Sequence, residues 1–229
     1  MESYLTALKQ LFQQQANPEQ AGPMKKYMRD QFEFLGIKSP QVKVLFKQFL
    51  AEYGVPDLPH LEAIACELWT WPEREYQYVV LNLLDKSQKQ LTLDQLSLLE
   101  HLITTKSWWD TVDALASHNV GKLLSRYSDS RDRLIEPWRQ SDNIWLRRTT
   151  LLFQLSYKTQ TDEALLFALI NENRASSEFF IQKAIGWALR EYSKTAPDAV
   201  ITFVEATELA PLSQREALKW LKKDKGCPV

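Results

Sequence analysis

The sequence predicts an all-α protein built as a solenoid of stacked helical repeats. Glycine occurs only 6 times in 229 residues, and strand-like alternation is scarce while helix-forming residues are dense. Segments with apolar residues at helical spacing follow one another with short breaks, as expected for antiparallel neighbours. A weak internal repeat of about 36 residues then favours a helical solenoid of the HEAT or armadillo kind.

Proline and glycine mark the helix boundaries in the first part of the chain. A helix is predicted over residues 3–15, where apolar side chains recur on one helix face. Pro18 starts a second helical segment, and Gly36 lies beyond its end. Pro40 then starts a helix that extends to about Tyr53.

The rest of the chain is predicted to form further helices separated by breaks of a few residues. Pro72, Pro197 and either Asp142 or Asn143 fit the starts of such helices. The predicted segments are 58–69, 72–85, 93–104, 107–117, 119–127, 131–139, 143–156, 162–171, 177–193, 197–207 and 213–223.

The internal repeat links three of these segments. Residues 72–86, 144–158 and 180–194 contain similar residues, and each stretch ends in a lysine, at intervals of 72 and 36 residues. One more unit therefore fits between the first two and would end at Lys122. No Pro/Ser-rich linker interrupts the chain, so residues 1–229 are predicted to form a single domain.

The repeat also predicts that three distant residues meet. Asp113, Arg148 and Trp187 lie 35 and 39 residues apart, which is about one repeat each. In a solenoid, one helix of each pair lines a concave face, and successive repeats bring equivalent positions side by side. The three side chains are therefore expected to line one groove.

Charge, hydropathy and cysteine content limit the class of protein. Lysine plus arginine number 28 and aspartate plus glutamate 29, so the net charge of −1 carries no overall signature of nucleic-acid binding, but it is compatible with a basic groove on one face. No apolar run approaches the ~20 residues of a membrane span, and the N-terminus lacks an apolar signal core. Cys66 and Cys227 form no disulfide or zinc framework. A cytoplasmic protein without membrane association is expected.

The segment Ser107–Asp113, with the sequence SWWDTVD, is the most informative part of the chain. Trp109 and Asp113 are four residues apart, so they share one face of a helix. A ring next to a carboxylate can hold a planar cation, because the ring face attracts the charge and the carboxylate neutralises it. A core tryptophan beside a capping aspartate is the alternative. Asp110 is the second candidate for a reactive carboxylate.

Cations accompany aromatic residues on two later segments. Arg147 and Arg148 closely follow a tryptophan, and Lys183 and Arg190 share a helix face with Trp187. Such pairs on neighbouring helices suit a nucleic-acid groove, where cations meet phosphates and rings meet bases or sugars. Taken singly, a mid-helix tryptophan is more often part of the core, and Arg147 can be a solvated charge.

Other catalytic arrangements are missing from the sequence. His60, His101 and His118 are scattered and build no cluster at metal-ligand spacing. There is no glycine-rich phosphate loop and no Gly-x-Ser-x-Gly elbow. Neither a metal nor a cofactor is therefore expected.

Six motifs spread over nearly the whole chain carry a family resemblance. They are Met24–Arg29, Phe34–Pro40, Ser107–Asp113, Ser141–Arg148, Glu178–Tyr192 and Leu209–Ala217. In these motifs the chain resembles the DNA alkylation repair glycosylases of the AlkD type. The resemblance implies a right-handed superhelix of HEAT-like repeats with a concave DNA-binding groove, in agreement with the period found above. It also implies removal of positively charged N3- and N7-alkylated purines from duplex DNA.

The resemblance assigns roles by position. Asp113 matches the catalytic carboxylate, and Trp109 and Trp187 match aromatics that pack against the deoxyribose and flanking backbone of the lesion. Arg148 matches a groove residue that contacts the DNA backbone, and Tyr27 matches an aromatic of the same cleft. Helix face and charge add candidates for phosphate contacts, which are Lys38, Lys43, Arg147, Lys183 and Arg190.

The implied chemistry requires only a few catalytic side chains. A cationic alkylpurine is already a good leaving group, and cleavage of its glycosidic bond builds oxocarbenium character on the sugar. Asp113 can stabilise that charge and position a water, and each tryptophan ring can add ~0.5–2 kcal/mol. No lysine nucleophile lies on the face of Trp109 and Asp113, although Lys106 flanks it, so no strand cleavage is expected. The resemblance implies action without a base-flipping pocket, so neutral lesions should be poor substrates.

Two other interpretations remain beside the glycosylase of base excision repair. The first is a non-catalytic protein that binds DNA structures through the same groove, and the second is a scaffold for protein interactions. The intact set of Trp109, Asp113 and Trp187 favours the enzyme. A monomer is expected, located in the cytoplasm and on the nucleoid when bound to DNA.

Overall fold

The protein is helical throughout the part that the structure describes. The structure, a computed structural model, describes residues 1–224, with side chains up to Lys222. Within this range there is no β-strand, and one isolated parallel bridge pairs Glu33 with Glu73. The all-α prediction is therefore confirmed. Cys227 lies outside the described residues.

The chain divides into two compact units, and the first comprises Met1–Leu98. Its helices are α1 (Glu2–Gln13), α2 (Pro18–Tyr27), α3 (Ser39–Tyr53), α4 (Leu58–Thr70) and α5 (Arg74–Ser87). A 3₁₀ turn over Leu93–Gln95 leads into α6 (Leu96–Thr104), and the boundary between the units falls within this helix.

The second helix is short. α2 ends at Tyr27, well before Gly36. Arg29 and Asp30 adopt positive φ values of 54° and 58°, a left-handed conformation that cannot continue a right-handed helix. The sequence therefore places the start of this helix correctly at Pro18.

A buried carboxylate fixes the loop that follows α2. Glu75 of α5 accepts hydrogen bonds from the backbone amides of residues 35–37 at 2.9–3.0 Å. Burial raises the pKa of this carboxyl, while the amide hydrogen bonds act in the opposite direction. Gly36 has a φ of 86°, and a Cβ at this position would lie 2.0 Å from the carbonyl oxygen of Asn17. Glu75 and Gly36 together set the path of the chain into α3.

The second unit begins at Leu99 and contains the segments with the aromatic and charged motifs. The predicted break near residue 118 is wrong, because a π-helical stretch joins the two predicted helices on either side of it. The elements are α7 (Trp109–Ala114), the π-helical stretch Leu115–Val120, α8 (Gly121–Leu124), α9 (Ser128–Arg139), α10 (Ile144–Leu152), a 3₁₀ turn Lys158–Gln160, α11 (Glu163–Asn173), α12 (Phe179–Tyr192), α13 (Pro197–Ala206) and α14 (Pro211–Asp224).

Helix α12 packs closely against both α10 and α14. At Gly186 of α12, a Cβ would lie 2.5 Å from the Cβ of Glu216 and 2.9 Å from the carbonyl oxygen of Ser213. Ser213 Oγ also donates a hydrogen bond of 2.9 Å to the carbonyl oxygen of Gln182. The glycine therefore permits the close approach that brings α14 beside the charged face of α12.

Contacts among helices of the second unit follow the order expected for a helical solenoid. Helix α10 contacts α9, α11 and α12 in turn, as stacked helical pairs require. The handedness of the superhelix, its concave groove and the single domain over residues 1–229 stay predictions. Within residues 1–224, none of the helices combines the length and apolar character needed to cross a membrane.

A glycine pair tests how tightly α8 packs on the end of α10. A Cβ at Gly121 would lie 2.3 Å from the backbone oxygen of Phe153, whereas one at Gly22 in α2 would meet nothing within 4 Å. We expect Gly121→Ala to lower the free energy of unfolding by about 1–3 kcal/mol. Gly22→Ala should leave it unchanged or raise it by up to about 1 kcal/mol. Urea unfolding measures both, and equal stability of the two variants would contradict the described packing.

Candidate active site

Asp113 lies one helical turn after an abrupt entry into α7. Lys106 has a positive φ of 46°, and Trp108 is extended with φ −157° and ψ 160°. The helix then starts at Trp109, so Trp109 and Asp113 follow each other on successive turns, as their spacing predicts. Both residues are partly buried.

Arg148 of α10 holds the carboxylate of Asp113 with two parallel hydrogen bonds. Its Nε donates to Oδ1 at 2.7 Å and its Nη2 donates to Oδ2 at 2.8 Å. Its Nη1 donates to the backbone oxygen of Phe180 at the start of α12. Only 1% of Arg148 is exposed, so the guanidinium is fixed by the protein. Bidentate, charge-assisted pairs of this kind are both strong and directional.

The three residues expected to meet across successive repeats do so in the structure. Asp113 and Arg148 form the ion pair, and the guanidinium carbon of Arg148 lies 5.3 Å from the ring centroid of Trp187. Arg148 was expected to contact the DNA backbone, yet its burial and its internal hydrogen bonds do not suit a phosphate contact in this conformation. As placed, it orients the carboxylate.

The environment of Asp113 acts on its protonation in opposite directions. Burial raises the pKa of Asp113 above its usual value, and the charge of Asp110 acts in the same sense. The hydrogen bonds and the charge of Arg148 lower the pKa and offset part of the burial effect. The result is a carboxylate that is anchored as an anion but more basic than a solvated aspartate.

The π-helical stretch aligns two contacts with α10. An i→i+5 segment winds more loosely than an α-helix, so it shifts the residues on either side of it relative to each other around the axis. Asp113 before the stretch reaches Arg148, and Gly121 after it approaches the backbone oxygen of Phe153. Both points of contact therefore lie on the side of the helix that packs against α10.

An aromatic cluster lies next to the ion pair. The ring centroid of Phe180 lies 5.1 Å from that of Trp108 and 5.0 Å from that of Trp145. The guanidinium carbon of Arg148 is 5.8 Å from the Phe180 ring. Phe180 and Trp108 both fall within the motifs quoted above, but neither was among the candidate site residues. These rings limit the access of water to the ion pair and so strengthen its electrostatics.

Trp187 is surrounded by positive charge. Besides Arg148, the Nζ of Lys183 lies 5.4 Å and the guanidinium carbon of Arg190 6.0 Å from its ring centroid. Both cations share one acidic partner, because Lys183 Nζ and Arg190 Nη1 each lie 3.0 Å from a carboxylate oxygen of Glu216. The shared face of the three α12 residues was predicted from spacing, whereas Glu216 on α14 was not.

The other predicted contacts are distributed over both units. Arg147 is partly buried in the second unit, and its Nε has no hydrogen-bond partner. Tyr27 belongs to the first unit, where 70% of it is exposed and it lines an open cleft together with Lys38. Lys43 is an exposed residue of α3. Among residues 1–224, no group of three or more His, Cys, Asp and Glu side chains could hold a metal ion.

Comparison with known proteins connects this arrangement with a family. The family model described as DNA alkylation repair enzyme matches residues 8–221. The chain belongs to the DNA alkylation repair enzyme family. A solved structure described as a predicted DNA alkylation repair enzyme from Enterococcus faecalis is 36% identical, with a TM-score of 0.85, and the match covers 91% of this chain and 97% of that chain. No curated protein sequence matches.

In this DNA alkylation repair family member, the buried ion pair between Asp113 and Arg148 predicts that loss of Arg148 lowers the free energy of unfolding in a pH-dependent way. Arg148→Met leaves the Asp113 carboxylate without its partner, which should cost about 3–5 kcal/mol of unfolding free energy near neutral pH. Because the pKa of Asp113 is then raised further, the unfolded chain ionises before the folded one as pH rises. The loss is therefore largest near pH 7 and shrinks as pH falls through the folded pKa toward the ordinary aspartate value.

Urea unfolding of Arg148→Met near neutral pH and at about pH 4.5 measures this dependence. Arg147→Met, one residue earlier on the same helix, is the matched control, and its effect on stability should be small and nearly independent of pH. An equal loss at both pH values for Arg148→Met would show that the ion pair does not determine the stability of this site.

Proposed function

We propose that this protein is a monofunctional DNA glycosylase that hydrolyses the N-glycosidic bond of cationic N3- and N7-alkylpurines in duplex DNA. The observation that carries the proposal is the Asp113 carboxylate, fixed by an Arg148 guanidinium that lies beside the rings of Phe180 and Trp187. Family membership supports it, because the family consists of DNA alkylation repair enzymes. In this proposal the protein acts as a monomer in the cytoplasm and on the nucleoid.

The proposed reaction needs no protonation of the leaving group. The alkylated purine carries a positive charge and departs as a neutral base when the bond to C1′ breaks and its electron pair stays on the purine nitrogen. The sugar then develops oxocarbenium character, which the nearby carboxylate of Asp113 stabilises. A water adds its oxygen to C1′ and gives up one proton, which Asp113 accepts and returns to solvent.

The raised pKa of Asp113 suits the acceptance of this proton. A carboxylate that is partly desolvated is a better base than one in water, and Arg148 keeps it in one orientation. Trp109 and Trp187 are the rings proposed to pack against the deoxyribose and the flanking backbone. In this scheme Arg148 acts through Asp113. The contact with the DNA backbone that the family resemblance implies for Arg148 is not proposed.

Strand cleavage would require an amine nucleophile, and Lys183, whose Nζ lies 5.4 Å from the Trp187 ring centroid, is poorly suited to this role. Lys183 is paired with Glu216 at 3.0 Å, and such an ion pair favours the protonated amine, which has no free electron pair for attack. Selectivity in this proposal comes from the charge of the leaving group rather than from a base-specific pocket. Neutral lesions would therefore be poor substrates.

A second function is favoured by one feature of the same site. Both oxygens of Asp113 already accept hydrogen bonds from Arg148, which reduces their availability to a water. A protein that binds altered DNA without cleaving a bond would have the same groove and would need only the structural role of this pair. The experiment below separates the two functions.

Release of free base from duplex DNA containing N7-methylguanine tests the proposal. We expect release by the wild type and a loss of at least about a hundredfold in Asp113→Asn, since the amide supplies neither the charge nor the base. DNA binding should change little, and circular dichroism should show a folded variant. A duplex with a neutral lesion such as uracil is the control for leaving-group charge.

The possible outcomes lead to different conclusions. Release by neither protein, with DNA still bound, would favour the non-catalytic binder. Release by both proteins would remove Asp113 from the reaction. Strand cleavage without added base or heat would contradict the monofunctional mechanism.

A further inference from the structure

Glu216 is a buried anion in a position where an enzyme acting on DNA should present positive charge. It lies on α14, in the quoted motif Leu209–Ala217, for which neither the sequence nor the proposed reaction supplies a role. Only 8% of it is exposed. Its two oxygens engage Lys183 and Arg190, the cations that lie over the Trp187 ring.

The position of Glu216 is more strongly fixed than that of its partners. Its Cβ packs against Gly186, where an added Cβ would lie 2.5 Å from it. Lys183 and Arg190 instead carry their charges on long flexible side chains that are partly exposed. A competing anion from solvent can therefore draw the two cations away while Glu216 stays in place.

The local charge balance favours an additional anion. Burial raises the pKa of Glu216, but the hydrogen bond and charge of Lys183 and the charges of Lys219 and Arg190 outweigh this effect and lower the pKa. Glu216 is therefore ionised near neutral pH and offsets a single positive charge. The cations that surround it are more numerous, so the cluster keeps a positive excess beside an aromatic ring, as a site for a phosphodiester requires.

We propose that Glu216 stands in for a DNA phosphate: in the free protein it holds Lys183 and Arg190 beside Trp187, and a backbone phosphate takes over these cations when DNA binds. The inference rests on the proposed DNA-binding function of the same site. In this proposal Glu216 is an internal competitor that weakens the binding of any DNA duplex, damaged or not.

A thermodynamic cycle on undamaged duplex DNA tests the takeover. Glu216→Gln keeps the shape of the side chain and removes the competing charge, so binding at fixed salt should tighten by about three- to fivefold, as expected for loss of a partly exposed ion pair. Glu205→Gln, at an exposed glutamate of α13, is the control for a change of net charge and should tighten binding much less. In the Lys183→Met/Arg190→Met background, Glu216→Gln should give no tightening beyond that control.

The salt dependence of binding provides a second readout that does not depend on the stability of Glu216→Gln. Each phosphate contact contributes about 0.9 to the slope of log K against log salt. Lys183→Met and Arg190→Met should therefore each reduce the slope by about that amount. Unchanged slopes would overturn the takeover, as would unchanged or weaker binding by folded Glu216→Gln, or tightening that persists without the two cations.

Base release distinguishes this proposal from the proposed function. If the wild type binds DNA but releases no N7-methylguanine, the glycosylase proposal fails while the binding cycle still decides the role of Glu216. If base is released but the cycle shows no coupling, the role of Glu216 fails alone. Absence of DNA binding by the wild type would overturn the takeover directly.

Discussion

A carboxylate that is largely withdrawn from water needs a partner that compensates for its lost hydration, and Arg148 is that partner for Asp113. The guanidinium is itself buried, and its third contact is the backbone oxygen of Phe180. The pair therefore connects α7, α10 and the start of α12 through one set of hydrogen bonds. The rings of Phe180 and Trp187 lie beside the guanidinium, and Trp108 and Trp145 pack against Phe180.

The same pair determines the chemistry that the site can support. An anion in aromatic surroundings favours a developing positive charge, and it does so without a metal ligand set or a specialised acid. The proposed substrate class follows from this restriction, because a base that is already cationic leaves as a neutral molecule without protonation. In the proposed function, the positive charges around Trp187 complement the phosphates that flank such a lesion, and Glu216 is their partner in the free protein.

The sequence predicts the helices and the meeting of Asp113, Arg148 and Trp187, because the repeat period determines which positions become neighbours. It does not predict the direction of Arg148, since helix face and charge say nothing of the path of a long side chain. Glu216 was missed because its partners lie on another helix, and only the close packing at Gly186 brings them together.

The π-helical stretch also escaped prediction, because an i→i+5 turn depends on tertiary contacts such as that of Gly121 with α10. The early end of α2 has a local cause, the left-handed conformation of Arg29 and Asp30. Neither residue is a glycine, so the sequence carries no clear sign of that conformation.

The pH dependence of N7-methylguanine release under single-turnover conditions tests the central claim most directly. A parallel reaction without protein corrects for spontaneous depurination. If ionised Asp113 drives the reaction, the rate falls on the acid side through a single ionisation whose pKa lies above that of a solvated aspartate, and Asp113→Asn shows no such fall. A wild-type rate that stays constant or rises toward acid pH would contradict the account.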